Sequence, residues 1–259
     1  MPSPAEELHN LQTDGLLRRL QPLDSPAGPQ VTRRGSQLWN FASNDYLGLA
    51  RHPEVEAALI EGVRRFGAGA AASRLVCGTL PPHRMLEEEV ARAKQCEAAL
   101  LFSSGFATAL GVIPAVVGKT DFIMLDKLSH ACLVDAARLS GATLRVFPHN
   151  DLHQLQRLLA ATRAKTSDAR ILIATESVFS MDGDLCPLLG MVGLAETHGA
   201  LLLLDEAHGF GVLGDSGMGL AERDQVQSRV TFQMGTLSKA AGLAGGYLAA
   251  SREWIDLLL

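Results

Sequence analysis

The chain has 259 residues, of which 47% are apolar and 20% are charged, and its formal net charge is −5 at pH 7. These values are typical of a soluble globular protein with one large α/β domain. The net negative charge shows no excess of basic residues that would favour binding to nucleic acid or to an anionic membrane. No apolar run is long enough to span a membrane and the first residues show no secretory signal, so we expect a cytoplasmic protein. The four scattered cysteines form no C-x-x-C pair, and we predict neither disulfides nor a metal site.

The beginning of the chain is predicted to be separate from the main domain. A short helix over residues 6–20 is followed by a connection rich in proline and glycine. Apolar residues at helical spacing then predict helices over residues 52–66 and 87–98. We therefore divide the chain into an N-terminal helical segment and linker, residues 1–40, and a large domain, residues 41–259.

From residue 98 onward, short apolar runs alternate with helical patterns. The apolar runs predict strands. The helical patterns predict a helix after each of the first four strands. The predicted strands are 98–102, 121–125, 143–147, 170–175, 200–204, 230–234 and 246–250, and the predicted helices are 105–117, 130–139, 152–161 and 187–197. Repeated βα units with short connections predict an α/β fold in which helices cover both faces of a mostly parallel sheet.

Two neighbouring predicted strands end in side chains that can take part in chemistry. The fifth strand leads into Asp205 and His208, and the sixth leads into Thr236, Ser238 and Lys239. Because ligands of open α/β sheets lie beyond the carboxyl ends of the strands, we expect one site here. A single lysine after a strand is more often a surface group, and a single aspartate is more often a cap, so the prediction rests on their combination.

That combination suits pyridoxal phosphate (PLP). An amine can bond to the aldehyde of this cofactor, a carboxylate can hold its pyridine nitrogen protonated, and hydroxyl and N–H groups can bind its phosphate. Ser104 and Gly105 join a predicted strand to a helix, and the N–H groups and dipole of a helix N-terminus favour a phosphate. Taken by itself, this turn is an ordinary connection.

Six regions along nearly the whole chain, in order, resemble the α-oxoamine synthases. They contain NFASNDYLGLARHP, FSSGFATALGV, DKLSHACLVDAARLSG, FPHND, TESVFSMDGD and, around the two strand ends, LLLLDEAHGFGVLG with TFQMGTLSKAAGLAGGY. This family consists of fold-type I PLP enzymes that condense an amino acid with an acyl-CoA and release carbon dioxide. The resemblance implies the large domain of that fold, with a seven-stranded sheet, and a homodimer whose active site lies at the subunit interface.

The resemblance also implies a role for each candidate site residue. Lys239 would bind PLP covalently and move the substrate's α-proton, Asp205 would pair with the pyridine nitrogen, and His130 would stack on the ring. His208, the fourth catalytic candidate, would share the phenolic oxygen of PLP with Ser180. The other implied cofactor contacts are Ser104, Gly105, Phe106, Ala207, Thr236 and Ser238. The residues implied to lie near the substrate are Arg18, Asn44 and Glu176.

Within the family, the sequence SNDYLGL and the position of Arg18 favour the 8-amino-7-oxononanoate synthases of biotin biosynthesis. Those enzymes join L-alanine to pimeloyl-CoA or pimeloyl carrier protein. Glycine C-acetyltransferase and other α-oxoamine synthases are the alternatives. Family members continue past the apolar run that ends this chain into a smaller C-terminal domain, so we expect a chain without that domain. A truncated chain that folds and binds PLP without turnover is the alternative from a different class.

Overall fold

A computed structural model describes residues 2–259 and divides them into two compact units. One unit ends at Ser43 and the other spans Asn44–Leu259. The domain boundary at residue 40 stays a prediction.

The first unit contains one helix and one hairpin among its described residues. Helix α1, Pro4–Thr13, begins with a capping box in which the Ser3 hydroxyl accepts the N–H of Glu6 while the Glu6 carboxylate accepts the N–H of Ser3. The helix predicted over residues 6–20 was therefore too long: the chain turns at Gly15, whose φ is 69°. Strands β1, Gln30–Arg33, and β2, Ser36–Trp39, then form an antiparallel hairpin that the sequence pattern did not predict.

Three α-helices precede the main sheet of the second unit. They are α2, Pro53–Phe66; α3, Arg74–Cys77; and α4, Pro81–Ala93. The helix predicted over residues 87–98 begins and ends earlier than predicted, as α4. Pro81 fits the first turn of α4, where its missing N–H costs nothing, and Gln95 stops the helix with a φ of 53°.

The main sheet of the described residues has seven strands in the order β3-β9-β8-β7-β6-β4-β5. The strands are β3, Ala98–Phe102; β4, Phe122–Asp126; β5, Thr143–Phe147; β6, Ile171–Glu176; β7, Leu201–Asp205; β8, Phe232–Thr236; and β9, Gly246–Ala250. Strand β9 runs antiparallel to β3 and β8, and the neighbours from β8 to β5 pair in parallel. The predicted mostly parallel sheet is confirmed.

Helices cover both faces of this sheet, as predicted. They are α5, Gly105–Val116; α6, Ala131–Ser140; α7, Leu152–Arg163; α8, Leu188–Thr197; α9, Leu220–Arg223; and α10, Arg252–Leu258. Successive strand residues enter opposite cores: Leu203 of β7 packs with α5 and α6, whereas Leu202 and Leu204 pack with α7 and α8. A strand buried on both faces has to be apolar along its length, which explains the continuous run in β7. No helix within residues 2–259 is both long and apolar enough to cross a membrane.

The register of the strands brings several polar residues to one edge of the sheet. Glu176 ends β6 and pairs with Asp205, which ends β7, and Asp205 in turn pairs with Met234 of β8. The polar residues that follow β3 and β8 leave the sheet at the same edge, because those strands run in the same direction as β7. The candidate site is built here.

Candidate active site

A cavity of about 230 Å³ lies beyond the carboxyl ends of β3, β6, β7 and β8. All of the predicted cofactor contacts except Ser180 line it, together with Glu176 and Cys132. Larger clefts of about 400 and 480 Å³ lie around Cys96 and Glu97, near the start of β3, and contain none of the predicted residues. The chemistry of the lining, and not the size of the cavity, therefore identifies the candidate site.

One end of the cavity is a cradle of hydroxyl and backbone N–H groups. Ser104 caps α5 by accepting the N–H of Ala107 at 3.0 Å, and the first N–H groups of α5 have no partner within the helix. The Thr236 and Ser238 hydroxyl oxygens lie 2.8 Å apart beside it. A Cβ at Gly246 would lie 2.5 Å from the Ser104 carbonyl, so glycine allows β9 to pass this close to the helix start. These groups fit a phosphate.

At the other end, Asp205 supplies a buried carboxylate. Its side chain is held by the N–H of Ala207, which donates to Oδ1 at 2.9 Å, and the residue is 6% exposed. Burial raises the pKa of Asp205, while the Ala207 N–H and the positive charge of Lys239 act in the opposite direction. A carboxylate in this setting gains by pairing with a cationic N–H, which is what a protonated pyridine nitrogen offers.

Between these two ends, the amine of Lys239 contacts His208. Lys239 Nζ lies 2.7 Å from His208 Nε2. Burial lowers the pKa of Lys239, against the opposing charges of Asp205 and Glu176. Burial, followed by the charges of Lys239 and His130, lowers the pKa of His208 to about 4. The imidazole is therefore neutral at physiological pH, and the amine gives up its proton more readily than an exposed lysine does.

His130 begins α6 with its ring toward the cavity. Its Nδ1 accepts the backbone N–H of Cys132 at 3.2 Å and lies 3.0 Å from the Cys132 sulfur. Nδ1 is therefore the acceptor in the hydrogen bond that holds the ring. Burial raises the pKa of the Cys132 thiol to about 12, so it acts as an uncharged neighbour of the ring. This arrangement fixes a flat imidazole at the cavity wall.

Glu176 lies beneath His130. Its Oε1 accepts the N–H of His130 at 2.5 Å, and the residue is 3% exposed. Burial, together with the neighbouring charge of Asp205, raises the pKa of Glu176 to about 7. The described contact is to the protein backbone, and the predicted position of Glu176 near a substrate stays a prediction.

Comparison with known proteins agrees with this geometry. The model of the family called aminotransferase class I and II matches residues 36–259. The chain belongs to this family. The predicted resemblance to the α-oxoamine synthases and the predicted fold class are confirmed by relatives of both sequence and structure.

Three relatives of this family member show the extent of the similarity. An 8-amino-7-oxononanoate synthase of Geobacter sulfurreducens is 49% identical over 255 residues, which cover 98% of this chain and 64% of the relative. A variant of serine palmitoyltransferase from S. paucimobilis, solved with PLP and myriocin bound, is 30% identical with a TM-score of 0.90, and the match covers 97% of this chain and 63% of the variant. An 8-amino-7-oxononanoate synthase of Francisella tularensis is 29% identical with a TM-score of 0.71, and the match covers 84% of this chain and 60% of that one. The chain thus spans about 64% of the length of the curated relatives it matches.

Three predicted residues lie outside the cavity lining. Ser180 is exposed in the loop that follows Phe179. Arg18 belongs to the first unit, and Asn44 is exposed, with its Oδ1 3.3 Å from the hydroxyl of Tyr46. Their roles toward cofactor and substrate stay predictions.

Two residues that sequence reasoning did not select also belong to the site. Cys132 lines the cavity and contacts His130, and Tyr46 places its hydroxyl 2.6 Å from His208 Nδ1. Cys132 could have been noticed two positions after a selected histidine. Tyr46 lies 162 positions from His208, and no local pattern connects them. The loop that carries His208 is held independently, because the Glu206 carboxylate accepts the N–H groups of Leu220 and Ala221 in α9.

Proposed function

We propose that this chain binds PLP and catalyses the decarboxylative condensation of an amino acid with an acyl-CoA. The reaction we favour joins L-alanine to pimeloyl-CoA, or to pimeloyl carrier protein, and gives 8-amino-7-oxononanoate for biotin biosynthesis. The observation that supports this most is the cavity in which the Lys239 amine and the Asp205 carboxylate, from neighbouring strands, lie beside a cradle suited to phosphate. The names of the curated relatives favour the choice of substrates.

The donor set fits PLP residue by residue. The Lys239 amine can bond to the aldehyde, the Asp205 carboxylate can accept from the pyridine N–H, and the ring of His130 offers a flat face. The cradle at Ser104, Thr236 and Ser238 can bind the phosphate. When bound, the cofactor supplies an electron sink for the negative charge that develops on the α-carbon of the amino acid.

The residues of the chain supply proton movement and orientation. Lys239 is suited to take the α-proton of the bound amino acid, because burial lowers its pKa and leaves more of the amine as a neutral base. A carbon–carbon bond then forms between that α-carbon and the thioester carbonyl, and coenzyme A leaves as the thiol. The carboxylate next leaves as carbon dioxide, and the α-carbon takes a proton in its place. Asp205 would accept the pyridine N–H of the bound cofactor, and this pairing would favour its carboxylate form.

A second candidate function is PLP binding without turnover. It is favoured by the coverage, since the curated relatives contain sequence that has no counterpart in this chain. A third, another α-oxoamine synthase activity such as that of glycine C-acetyltransferase, is favoured by the similarity to a serine palmitoyltransferase at a TM-score of 0.90.

One set of assays separates these candidates. The purified chain is titrated with PLP by visible absorbance, and release of coenzyme A is then measured with alanine and pimeloyl-CoA, glycine and acetyl-CoA, and serine and palmitoyl-CoA. We expect covalent capture of PLP, and turnover with the first pair above the other two. Capture without turnover would favour the second candidate, and turnover with another pair would favour the third.

Lys239→Ala is the control for the site. We expect this variant to lose covalent capture of PLP and all turnover, because the reacting amine is gone. Full capture by the variant, detected by mass spectrometry after borohydride reduction, would exclude Lys239 from this role.

The assembly and location are proposed as well. A homodimer is supported by exposed apolar side chains on α2, among them Leu59, Ile60 and Val63. Sedimentation velocity of the purified chain tests it, and a monomer at all concentrations would contradict it. The cytoplasmic location stays a prediction from the sequence.

A further inference from the structure

A short line of hydrogen-bonding groups runs from the protein surface to the site amine. The Tyr46 hydroxyl lies 2.6 Å from His208 Nδ1, and His208 Nε2 lies 2.7 Å from Lys239 Nζ. Tyr46 is 42% exposed, and it lies in the second unit together with the other two residues. The proposed reaction assigns no role to its phenol.

The protonation of the three groups follows from their chemistry. The imidazole of His208 is neutral, so one ring nitrogen donates and the other accepts. Burial raises the pKa of Tyr46, so its hydroxyl keeps its proton and can donate it. The nearest alternative acceptor for that proton is Asn44 Oδ1 at 3.3 Å, which is farther away than Nδ1 at 2.6 Å. The phenol therefore donates to Nδ1, and the ring proton of His208 is left on Nε2, facing Lys239.

We infer that Tyr46 is a positioning residue that holds His208 as its Nε2–H tautomer, so that Nε2–H donates to the lone pair of the Lys239 amine. An ammonium group has no lone pair to accept this proton, whereas a neutral amine does. The contact therefore favours the neutral, nucleophilic form of Lys239. The inference rests on the proposed function, in which this amine reacts with PLP.

The other charged and titratable groups near the amine act differently. Asp205 and Glu176 face Lys239 from β7 and β6, and their negative charges favour its protonated form, whereas the Cys132 thiol of α6 is uncharged. His130 faces His208 and, like Lys239, opposes its protonation. None of these groups chooses between the two neutral tautomers through a hydrogen bond to Nδ1, which is the role assigned to Tyr46.

The first test reads the tautomer directly, without PLP. Long-range ¹H–¹⁵N spectra of the histidine-labelled full chain are compared for the unmodified protein, Tyr46→Phe and Tyr247→Phe, with the His208 signals assigned by their loss in His208→Asn. We expect a protonated Nε2 in the unmodified protein and a shift toward protonated Nδ1 in Tyr46→Phe. A protonated Nδ1 in the unmodified protein, or an unchanged spectrum in Tyr46→Phe, would overturn the inference.

Tyr247→Phe is a matched control because this chain has two tyrosines and their settings differ. The Tyr247 hydroxyl is buried and has no hydrogen-bond partner among the described residues. Removing it deletes the same atom from the protein without touching His208. The tautomer of His208 should be the same in this variant as in the unmodified chain.

The second test measures the consequence for Lys239. The rate of covalent PLP capture is recorded against pH for the unmodified chain, Tyr46→Phe and Tyr247→Phe. Without the phenol, Nε2 is free to accept from the ammonium form, so we expect the midpoint of the Tyr46→Phe profile to rise by roughly half to one pH unit. A midpoint equal to that of Tyr247→Phe would overturn the inference while leaving the proposed function intact. If the unmodified chain captures no PLP, the proposed function fails, and the spectra still decide the tautomer.

Discussion

Two aspartates end parallel strands of the same sheet, and the protein uses them in opposite ways. Asp126 ends β4 and Asp205 ends β7. Both are nearly inaccessible to solvent, at 0% and 6% exposure. The difference lies in their surroundings, because Asp205 faces a cavity and Asp126 does not.

Asp126 is occupied by internal hydrogen bonds. Its Oδ1 accepts the N–H of Leu128 at 2.9 Å and lies 2.9 Å from His149 Nδ1, and its Oδ2 accepts the N–H of Asn150 at 2.8 Å. His149 Nε2 in turn contacts Asp184 Oδ2 at 2.7 Å. This Asp126 cluster, formed by Asp126, His149, Asn150 and Asp184, joins β4 to the loops after β5 and β6. A buried carboxylate that is paired with three donors of the protein itself stabilises the fold.

The largest expected effect comes from replacing each aspartate with asparagine. Asp205→Asn should weaken PLP binding by about tenfold to a hundredfold, since a charge-assisted hydrogen bond to the pyridine nitrogen is lost. Its free energy of unfolding should not fall, because burial already disfavours the charge. Asp126→Asn should lower the free energy of unfolding by about 1–3 kcal/mol. The two carboxylate oxygens together accept three donors, and in the variant an N–H₂ group takes the place of one of these oxygens.

Absorbance titration and urea unfolding of both variants measure the two quantities. The reverse pattern would contradict the assignment of Asp205 to a ligand and of Asp126 to the fold. That pattern is an Asp205→Asn variant that is strongly destabilised, or an Asp126→Asn variant that keeps full stability and binds PLP less tightly.

Glu176 shares a feature with each aspartate, because it lines the cavity as Asp205 does and its carboxyl binds a backbone N–H as that of Asp126 does. Its carboxyl is nearly as buried as that of Asp126 but has a pKa raised to about 7, so the folded chain binds a proton that the unfolded chain, with the ordinary glutamate pKa of 4.5, releases. Its contribution to stability is therefore fully present below about pH 4.5 and is lost as pH rises through 7. Glu176→Gln keeps an acceptor for the His130 N–H and removes the charge.

We expect Glu176→Gln to have the same free energy of unfolding as the unmodified chain near pH 4.5, and to be more stable by roughly 1–3 kcal/mol at pH 8. Urea unfolding at the two pH values measures this. If Glu176→Gln and the unmodified chain were equally stable at both pH values, the Glu176 carboxyl would ionise in the folded chain as easily as in the unfolded one.

Sequence reasoning found the parts of the molecule that burial dictates. Strands buried on both faces have to be apolar, and the predicted strand bounds lie within two residues of those observed. Asp205 and Lys239 were found because they follow such strands directly. The hairpin of β1 and β2 was missed because its residues are mostly polar and its turn is formed by Arg34 and Gly35, both at positive φ.

What sequence reasoning missed at the site arises from contacts between distant segments. Tyr46 and Asp126 carry no local sign of their partners, since the first contacts His208 and the second contacts His149 only after the sheet has formed. Whether a strand-end carboxylate faces a cavity or a cluster of donors depends on the loops from neighbouring strands. A pattern within one strand cannot contain that information.

The smallest expected effect concerns the pH dependence of the Asp126 cluster. Partial burial opposes protonation of His149, but hydrogen bonds to Asp126 and Asp184, together with their charges, raise its pKa above the ordinary histidine value of 6.5. The folded chain therefore binds this proton more tightly than the unfolded chain. The resulting stability is fully present below about pH 6.5 and is lost as pH rises through the higher pKa of the folded state.

His149→Gln should remove this dependence while keeping an amide that can still bond to one aspartate. We expect the variant to be less stable than the unmodified chain by about 1 kcal/mol more at pH 5.5 than at pH 8.5, because the imidazolium that bridges two carboxylates exists mainly at the lower pH. Urea unfolding of both proteins at the two pH values gives the difference. A deficit that is equal at both pH values would mean that His149 bridges the aspartates as a neutral ring, so the cluster would hold β4 to its loops by hydrogen bonds without a charge.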